Sequence, residues 1–212
     1  MNELVIVTSA ISVVDKPLSY SNVRSRFSAK ERIEQTKKTI ESIKQKFPNT
    51  QIFVVEQGRE YVPEIASIKN VEYIFNGGNF FVRMATDSPI KGLGEAVSII
   101  YSSRRIFSKE AKFYYKISGR YFLDEHFDVN RWDYNFFNFK IVGRDFLTVL
   151  YGVPQKYYFL WMSALIIGLP LLWANKSIEF MLGFVLPHQM VKGINVLGIS
   201  GYDSCEGKFF KL

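Results

Sequence analysis

The sequence predicts an α/β fold, a Rossmann-like arrangement in which a mostly parallel central sheet is flanked by helices. Short β-branched apolar runs alternate along the chain with segments that keep helical spacing. The first strand, helix and strand together take only about fifty residues, which is typical of the unit that starts a parallel sheet. A length of 212 residues suits one domain with a sizeable core.

The first unit has clear local signals. Residues 4–14 form an apolar, β-branched run that is typical of a strand buried on both faces. Ser28 and Glu31 have the spacing of a capping box, so a helix is predicted to begin at Ser28. Pro48 ends this helix, and residues 51–55 form the second strand.

The later elements follow the same alternation. Residues 76–79, Asn-Gly-Gly-Asn, indicate a turn, and residues 143–145 indicate a hairpin between two aromatic strands. The predicted strands cover residues 71–75, 112–117, 136–142, 146–151 and 194–199, and the predicted helices cover residues 91–107 and 176–186.

Composition and charge limit the class of protein. An apolar fraction of 48% and an aromatic fraction of 16% exclude general disorder. The single cysteine, Cys205, has no partner within the chain for a disulfide, which favours a reducing, cytoplasmic setting. The net charge of +7 favours partners that carry phosphate or carboxylate groups. The sequence has no run of five basic residues and no zinc-finger or RNA-recognition signature, so nucleic acid is not an expected partner.

Two stretches resemble targeting or membrane segments. The N-terminal apolar run carries Glu3 and no preceding basic residue, which argues against a signal peptide. Residues 157–174 carry no charge and reach the lower length limit for crossing about 30 Å of hydrocarbon, but Gly168 and Pro170 interrupt them. We expect a buried or interfacial helix, with peripheral membrane contact or a true anchor as the alternatives.

Small and polar residues follow the predicted strands. In open α/β sheets, ligands bind beyond the carboxyl ends of the strands, and hydroxyls, amides and glycines there suit a ribonucleotide. The alternative is that each is an ordinary turn at the end of a strand. The candidates for nucleotide contact at these ends are Thr8, Ser9, Ala10, Gln57, Asn76, Ser118, Gly119 and Arg120.

Two further segments carry cations near these ends. Lys91 and Gly92 open a predicted helix whose free amides suit a phosphate, although Glu95 there fits equally well as a partner for the helix dipole. The spacings of a Walker loop and of a dinucleotide-binding loop are both absent. Lys116 and Arg120 are candidates for binding a diphosphate; the alternative makes them a solvated strand residue and a surface ion-pair partner.

Five segments, in order, carry a resemblance to a known family. They are VTSA after the first strand, the capped helix, VVEQG, KGLGEA and FYYKISGRY. This order resembles the GT-A fold of nucleotide-diphospho-sugar glycosyltransferases, and more narrowly the small glycosyltransferases of chlorella viruses and of bacterial surface-glycan clusters. The resemblance implies a hexosyl- or pentosyltransferase with a UDP-sugar donor and a glycan or glycoprotein acceptor. It also implies a nucleotide-sugar-binding half, residues 1–123, and an acceptor-side half, residues 124–212, within one domain, 1–212.

The family often holds Mn²⁺ on an Asp-x-Asp motif after the fourth strand, and this chain departs from that pattern. The matching positions hold Ser118, Gly119 and Arg120, and no Asp-x-Asp occurs anywhere in the sequence. Either Arg120 and Lys91 neutralise the departing diphosphate, or Mn²⁺ or Mg²⁺ is held by scattered ligands. The candidates for such ligands are Asp124, Glu125, His188 and Asp203.

An inverting transfer needs a carboxylate that accepts the proton of the acceptor hydroxyl. Glu179 and Asp203 are the two main candidates, and Arg120 is the candidate for stabilising the leaving group. Glu179 alternatively complements the start of its helix, and Asp203 alternatively caps a turn. Glu56 and Asp87 are weaker candidates, and a retaining transfer needs no such base.

Other classes of protein explain less of the sequence. A basic nucleic-acid-binding or nucleotide-modifying α/β protein is the main alternative, but it calls for a continuous basic stripe. A methyltransferase that uses S-adenosylmethionine calls for a glycine-rich loop after the first strand, where this chain has Thr8, Ser9 and Ala10. A membrane-associated scaffold explains residues 157–174 and leaves the polar strand ends without a role.

Overall fold

The computed structural model describes residues 3–108 and 110–212. The strands are β1 (Glu3–Ser9), β2 (Gln51–Glu56), β3 (Val71–Phe75), β4 (Phe113–Ser118), β5 (Tyr121–Leu123), β6 (Phe137–Val142), β7 (Asp145–Pro154), β8 (Val191–Gly193), β9 (Ile199–Tyr202) and β10 (Phe209–Lys211). The helices are α1 (Ala29–Lys46), α2 (Pro63–Ala66), α3 (Phe80–Asp87), α4 (Lys91–Ile106), α5 (Tyr158–Trp173) and α6 (Ile178–Val185).

The central sheet has seven strands in the order β3-β2-β1-β4-β7-β6-β8. Strands β1 to β4 run parallel, and β8 pairs in parallel with β6. Strand β7 runs antiparallel to both of its neighbours. The predicted α/β class, with a mostly parallel sheet flanked by helices, is therefore confirmed.

Both faces of the sheet are covered. Leu4 and Ile6 of β1 pack into a core with residues of α4, α5 and α6. Val5 and Val7 point the other way, into a second core that includes Ile40 and Ile43 of α1. A strand buried on both sides has no polar face, which explains the unbroken apolar run at the start of the sequence.

The signals in the first helix and in the hairpin are confirmed atom by atom. The Glu31 amide donates to Ser28 Oγ at 3.3 Å, and the Ser28 amide donates to Glu31 Oε2 at 2.8 Å. The C-cap of α1 is Phe47, directly before Pro48. Gly143 has a φ of +63°, which the tight turn between β6 and β7 requires.

Two sequence predictions need correction, and helix α3 was not predicted. β1 ends at Ser9 instead of residue 14, because the chain leaves the sheet after Ser9 and enters a loop that spans residues 10–28. The predicted turn at residues 76–79 is present, with the Asn79 amide donating to the Asn76 carbonyl at 2.9 Å. Asn79 is also the N-cap of α3: its Oδ1 accepts from the amides of Phe81 and Val82 at 3.0 and 3.2 Å. Residues 194–198 are not strand, and β9 begins only at Ile199.

A second sheet, β10-β9-β5, was not predicted. Each of its strands is short, and the C-terminal basic segment joins it as β10, with Phe209 opposite Tyr202. β5 pairs with β9 on the other side, with Leu123 opposite Ile199. The pairing of β5 with β9 joins segments far apart in the sequence and leaves no local signal there, whereas β9 and β10 are neighbours along the chain.

The uncharged segment forms α5. Its inner face lies in the core, where Trp161, Leu165 and Leu172 are fully buried. By length and composition alone, the stretch Gln155–Trp173 is also apolar enough to cross a membrane, and 39% of it is buried within the molecule.

Candidate functional site

Two adjoining cavities lie beyond the carboxyl ends of β1 and β4. The first, here called the inner pocket, lies between β1, α1 and the start of α4. The second, the outer cleft, has a volume of about 610 Å³ and extends to α6 and the C-terminal segment. The residues that line both cavities, and so mark their boundary, are Lys91, Glu95, Ser118 and Arg120.

Most of the predicted nucleotide contacts come together here. The predicted residues that line the inner pocket are Thr8, Ser9, Ala10, Gln57, Lys91, Ser118, Gly119 and Arg120. Gly92 lines the outer cleft, together with the two predicted carboxylates, Glu179 and Asp203. This gathering follows from the parallel strands, whose carboxyl ends meet at one edge of the sheet.

A buried carboxylate organises one side of the inner pocket. Glu56, at the end of β2, is fully buried and accepts hydrogen bonds from Ser9 Oγ, from the Ile11 amide at 2.9 Å and from the Gly58 amide at 2.6 Å. Burial raises the pKa of Glu56, and the three donors oppose that effect. Glu56 therefore ties the ends of β1 and β2 together and serves as part of the frame of the pocket.

Two arginines hold the loop of residues 10–28 beside the pocket. Arg32 of α1 donates to the carbonyl oxygens of Ala10 and Ile11. Burial, and next the charge of Arg120, lower the pKa of Arg32 to about 10. Arg24 lies within the loop and donates to the Thr86 carbonyl of α3 at 2.8 Å. Both guanidinium groups add positive charge to the pocket wall.

Lys91 and Arg120 stand at the boundary of the two cavities. Lys91 is the first residue of α4, and its Nζ donates to Ser204 Oγ at 2.7 Å. Burial, followed by repulsion from Arg120, lowers the pKa of Lys91 to about 8. The Nε of Arg120 is buried and has no hydrogen-bond partner within the described part of the chain. A buried donor without a partner is costly, so it points to a missing acceptor at this position.

The glycine pair at the start of α4 serves helix packing. A Cβ on Gly94 would lie 2.8 Å from the Cα of Thr86, and one on Gly92 would lie 2.9 Å from the Cβ of Ile178. Both distances are shorter than side-chain contacts allow. The pair therefore lets α4 approach α3 and α6 closely, which sets Lys91 at the mouth of the cleft.

Lys116 is buried behind residues that line the outer cleft, Glu95, Ser118 and Thr148. It is fully buried, forms an ion pair with Glu95, and donates to the Thr148 carbonyl at 2.7 Å and to Ser118 Oγ at 3.1 Å. The side chain lines neither cavity, so the prediction that it contacts a nucleotide is corrected, and so is the alternative of a solvated strand residue. A charge this deep is tolerated because Glu95 compensates it.

Glu179 and Asp203 face the outer cleft from different elements. Glu179 lies in the first turn of α6, and its Oε1 accepts from Thr148 Oγ1 at 2.5 Å. Asp203 follows β9, and its Oδ1 accepts from the amides of Cys205 at 2.7 Å and Glu206 at 2.8 Å. Burial raises the pKa of Asp203. The two amides and the nearby charges of Lys91 and Arg120 outweigh this effect and hold the pKa below its usual range.

Asn76 does not reach either cavity, and its predicted nucleotide contact is corrected. It is buried, and its Nδ2 donates to Ser98 Oγ at 2.9 Å and to Ser102 Oγ at 2.6 Å. The side chain therefore fixes α4 against the end of β3. Asp87, a weaker candidate for a base, forms an ion pair with Arg59 at 2.7 Å.

The residues present do not fit a divalent metal. Asp124 accepts from Ser200 Oγ at 2.6 Å, Glu125 pairs with Lys211, and the His188 ring contacts the Gly183 carbonyl at 2.9 Å. Across residues 3–108 and 110–212, no three His, Cys, Asp or Glu side chains are placed to hold a metal ion. At the end of β4, the neighbouring cations Lys91 and Arg120 would repel one.

The polar lining residues of the inner pocket that were not among the predicted contacts include Arg24, Arg32, Thr36 and Glu95. Arg32 and Thr36 lie on the same face of α1 as Ile40 and Ile43. Because Arg32 keeps helical spacing with these apolar positions, the sequence already indicated that its side chain points toward the sheet. Glu95 was read only as a partner of the helix dipole, because its pairing with Lys116 is not local.

No family model matches the chain, and no curated protein matches it significantly. Solved structures do match. The bifunctional glycosyltransferase WbbM, in its apo form, has a TM-score of 0.51 at 11% identity, over 91% of this chain and 38% of that chain. This chain thus corresponds to well under half of WbbM.

Two further solved structures are similar at lower scores. The galactosyltransferase LgtC, in complex with donor and acceptor sugar analogues, has a TM-score of 0.47 at 9% identity, over 89% of this chain and 72% of that chain. Mouse xyloside xylosyltransferase 1, in its apo form, has a TM-score of 0.46 at 8% identity, over 92% and 85%. The likeness to WbbM, at 11% identity, concerns the fold alone. The chain has the GT-A-type fold that the resemblance of its sequence implied.

Proposed function

We propose that this protein is a glycosyltransferase that moves a sugar from a nucleoside-diphosphate sugar to a glycan or glycoprotein acceptor. The observation that carries the proposal is the pair Lys91 and Arg120 at the boundary of the two cavities, with a buried Arg120 Nε that lacks a partner in the described residues. Two neighbouring cations repel each other unless an anion lies between them. A diphosphate supplies that anion, and UDP is favoured on the resemblance of the sequence.

The proposed donor extends from the inner pocket into the outer cleft. The inner pocket encloses about 80 Å³, while sites for small molecules usually measure roughly 300–1,000 Å³. The donor therefore reaches past Lys91 and Arg120 into the cleft. Helix α4 starts without a side-chain cap among the described residues; the Leu93 amide donates to the Ile90 carbonyl, which leaves the amides of Lys91 and Gly92 for phosphate oxygens.

In the proposed reaction the acceptor oxygen attacks the anomeric carbon, and the bond from that carbon to the β-phosphate oxygen breaks. The electron pair of that bond stays on the diphosphate, where Lys91 and Arg120 oppose the growing negative charge. In an inverting transfer, Glu179 or Asp203 takes the proton of the acceptor hydroxyl. No step is assigned to a metal, because the side chains at this position are cations.

We also propose that the two halves of the chain supply different parts of the site. Residues 1–123 supply Lys91, Arg120 and the inner pocket, while residues 124–212 supply Glu179, Asp203 and the far wall of the cleft. A cytoplasmic setting, one domain and the absence of a nucleic-acid partner complete the proposal. The cations support it against the nucleic-acid alternative, because they converge inside a cleft instead of forming an exposed stripe.

Isothermal titration tests the proposal. UDP, GDP, CDP, ADP, S-adenosylmethionine and a DNA oligonucleotide are titrated in EDTA and again in Mn²⁺. We expect UDP to bind with a Kd between micromolar and millimolar in EDTA, and Lys91→Ala and Arg120→Ala to weaken it. Arg131→Ala is the matched control, because Arg131 pairs with Asp128 away from both cavities. Binding of S-adenosylmethionine or DNA without binding of UDP would show that the proposed function is wrong.

A further inference from the structure

The outer surface of α5 and α6 is apolar. The exposed side chains that define this apolar face are Phe159, Ile166, Ile167 and Trp173 of α5 and Phe184 of α6. Phe159 and Ile167 are each 67% exposed, and Phe184 is 71% exposed. We propose that the apolar face docks on an anionic lipid membrane, independently of the proposed function. Four of these five side chains lie on the exposed side of one helix, and apolar side chains grouped in this way mark an interaction site, whereas single exposed apolar residues do not.

Helix α1 provides an internal comparison. It covers the opposite side of the sheet and has a similar length, 18 residues against 16 for α5. The side chains that α1 exposes include Lys30, Glu34, Lys38 and Glu41, whereas α5 exposes aromatic and aliphatic side chains and carries no charge. The two helices therefore present side chains of different polarity to solvent. The difference indicates that the surface of α5 is covered by something other than water.

The charges beside the apolar face favour anionic lipid as the partner. Lys156 precedes α5 and lies 4.9 Å from the ring centroid of Tyr157, and Lys176 follows α5 and lies 5.7 Å from that of Phe180. Lysines therefore stand at both ends of an uncharged helix, on a chain of net charge +7. Aromatic side chains with flanking lysines suit the boundary between headgroups and acyl chains. Anionic headgroups add electrostatic attraction.

The burial of α5 decides how it meets the membrane. Its inner residues Trp161, Leu165 and Leu172 are fully buried in the core that also holds β1. The 16 residues of α5 span about 24 Å, and the longer stretch Gln155–Trp173 reaches the length that could cross a membrane, so burial and not length decides. If α5 crossed the bilayer, these inner residues would leave the core and one face of the sheet would be uncovered. The helix therefore lies in the plane of the membrane surface and keeps its inner face on the protein.

The turn after α5 connects the apolar face with the outer cleft. Asn175, Lys176 and Ser177 of this turn line the cleft, next to Glu179. A molecule docked through α5 and α6 consequently holds the mouth of the cleft beside the lipid headgroups. An acceptor presented at the membrane surface would reach the cleft without dissociating into solution.

Vesicle flotation tests the inference with the full chain. Vesicles of phosphatidylcholine alone are compared with vesicles that also contain phosphatidylglycerol. We expect binding to the anionic vesicles, a blue shift of tryptophan emission that Trp173→Leu abolishes, and at least a tenfold loss of binding in Phe159→Ser/Ile167→Ser. The matched control is Lys30→Ser/Lys38→Ser on α1, with the same number of exposed substitutions. Lys156→Glu/Lys176→Glu should weaken binding to anionic vesicles in particular.

Each other outcome overturns the inference. Equal flotation of wild type and of Phe159→Ser/Ile167→Ser shows that the apolar face does not dock. Protein that only detergent releases from the membrane shows that the segment spans the bilayer. A concentration-dependent dimer in analytical ultracentrifugation, lost in the same variant, shows that a second copy covers the face. Circular dichroism and a melting curve confirm that every variant compared is folded.

Discussion

Lys91 and Arg120 place two positive charges side by side at the boundary between the inner pocket and the outer cleft. Lys91 starts α4, Arg120 follows β4, and burial together with the Arg120 charge lowers the pKa of Lys91 to about 8. The fold therefore keeps two like charges close in a partly buried place, at a cost in stability. An anionic ligand that lies between them removes that cost, which links the electrostatics of the site to ligand binding.

Arg120→Ala should remain folded and lose most sugar transfer. Removing one donor that faces developing charge typically costs about 2.7–4 kcal/mol, roughly a hundred- to a thousand-fold in rate. Arg120→Lys should recover only part of this loss, because an ammonium lacks the planar fork of a guanidinium. Steady-state kinetics beside a melting curve measure both effects. Near-normal transfer by folded Arg120→Ala would make Arg120 a surface residue.

Binding of UDP should weaken as pH rises through about 8. Protonated Lys91 attracts the diphosphate, and its pKa of about 8 means that much of this charge is lost between pH 7 and 9. Titrations at several pH values measure the dependence. Lys91→Arg is the control, because arginine stays charged and should remove the decline. A decline of the same size in Lys91→Arg would assign it to another group.

Glu95→Gln should destabilise the fold through Lys116. The Lys116 ammonium is fully buried and pairs with Glu95, so loss of the carboxylate leaves a buried charge without compensation. Breaking a buried pair from one side typically costs about 3–5 kcal/mol, and the partial exposure of Glu95 places the expected value near the lower end. Glu95→Gln/Lys116→Met should lose less than Glu95→Gln alone. Urea denaturation measures the free energy of unfolding; equal stability of Glu95→Gln and wild type would contradict the assignment.

Glu179→Gln and Asp203→Asn separate the two candidate bases. In Asp203→Asn the side-chain oxygen can still accept hydrogen bonds from the amides of Cys205 and Glu206, and in Glu179→Gln it can still accept one from Thr148 Oγ1. Both variants should therefore fold and bind UDP. The variant that removes the base should lower kcat by a hundred-fold or more, in line with the roughly 10²–10⁴-fold contribution of general base catalysis. The other variant should keep most of its activity. If neither substitution lowers kcat, the transfer proceeds without a base from this pair.

The elements that could be predicted from the sequence are those set by nearby residues. The capping box of Ser28 and Glu31 fixes the start of α1, and the strand β3 was predicted with its observed bounds. Helix α3 was not predicted although its signal is present, because Asn79 both closes the turn of residues 76–79 and caps the helix. Strand β5 could not be predicted, since it depends on pairing with β9 from far along the chain.

The candidate site shows the same limit. Arg120 and Ser118 were found because strand ends are recognisable and parallel strands bring their ends together. Lys116 was misjudged, because its burial depends on Glu95 from α4 and Thr148 from β7. Glu179 and Asp203 were named on generic grounds, and only the packing of α6 and the C-terminal segment brings both to one cleft.

Glu56 has a consequence for the thermodynamics of ligand binding. Its carboxylate already holds Ser9, Ile11 and Gly58 in the free protein. These strand ends thus lose their conformational freedom during folding, and a ligand that enters the pocket does not have to order them. Since ordering loops on association consumes binding free energy, a wall fixed in advance leaves more of the contact energy as affinity. Glu56 would thus favour binding through entropy, from a fully buried position that lines neither cavity.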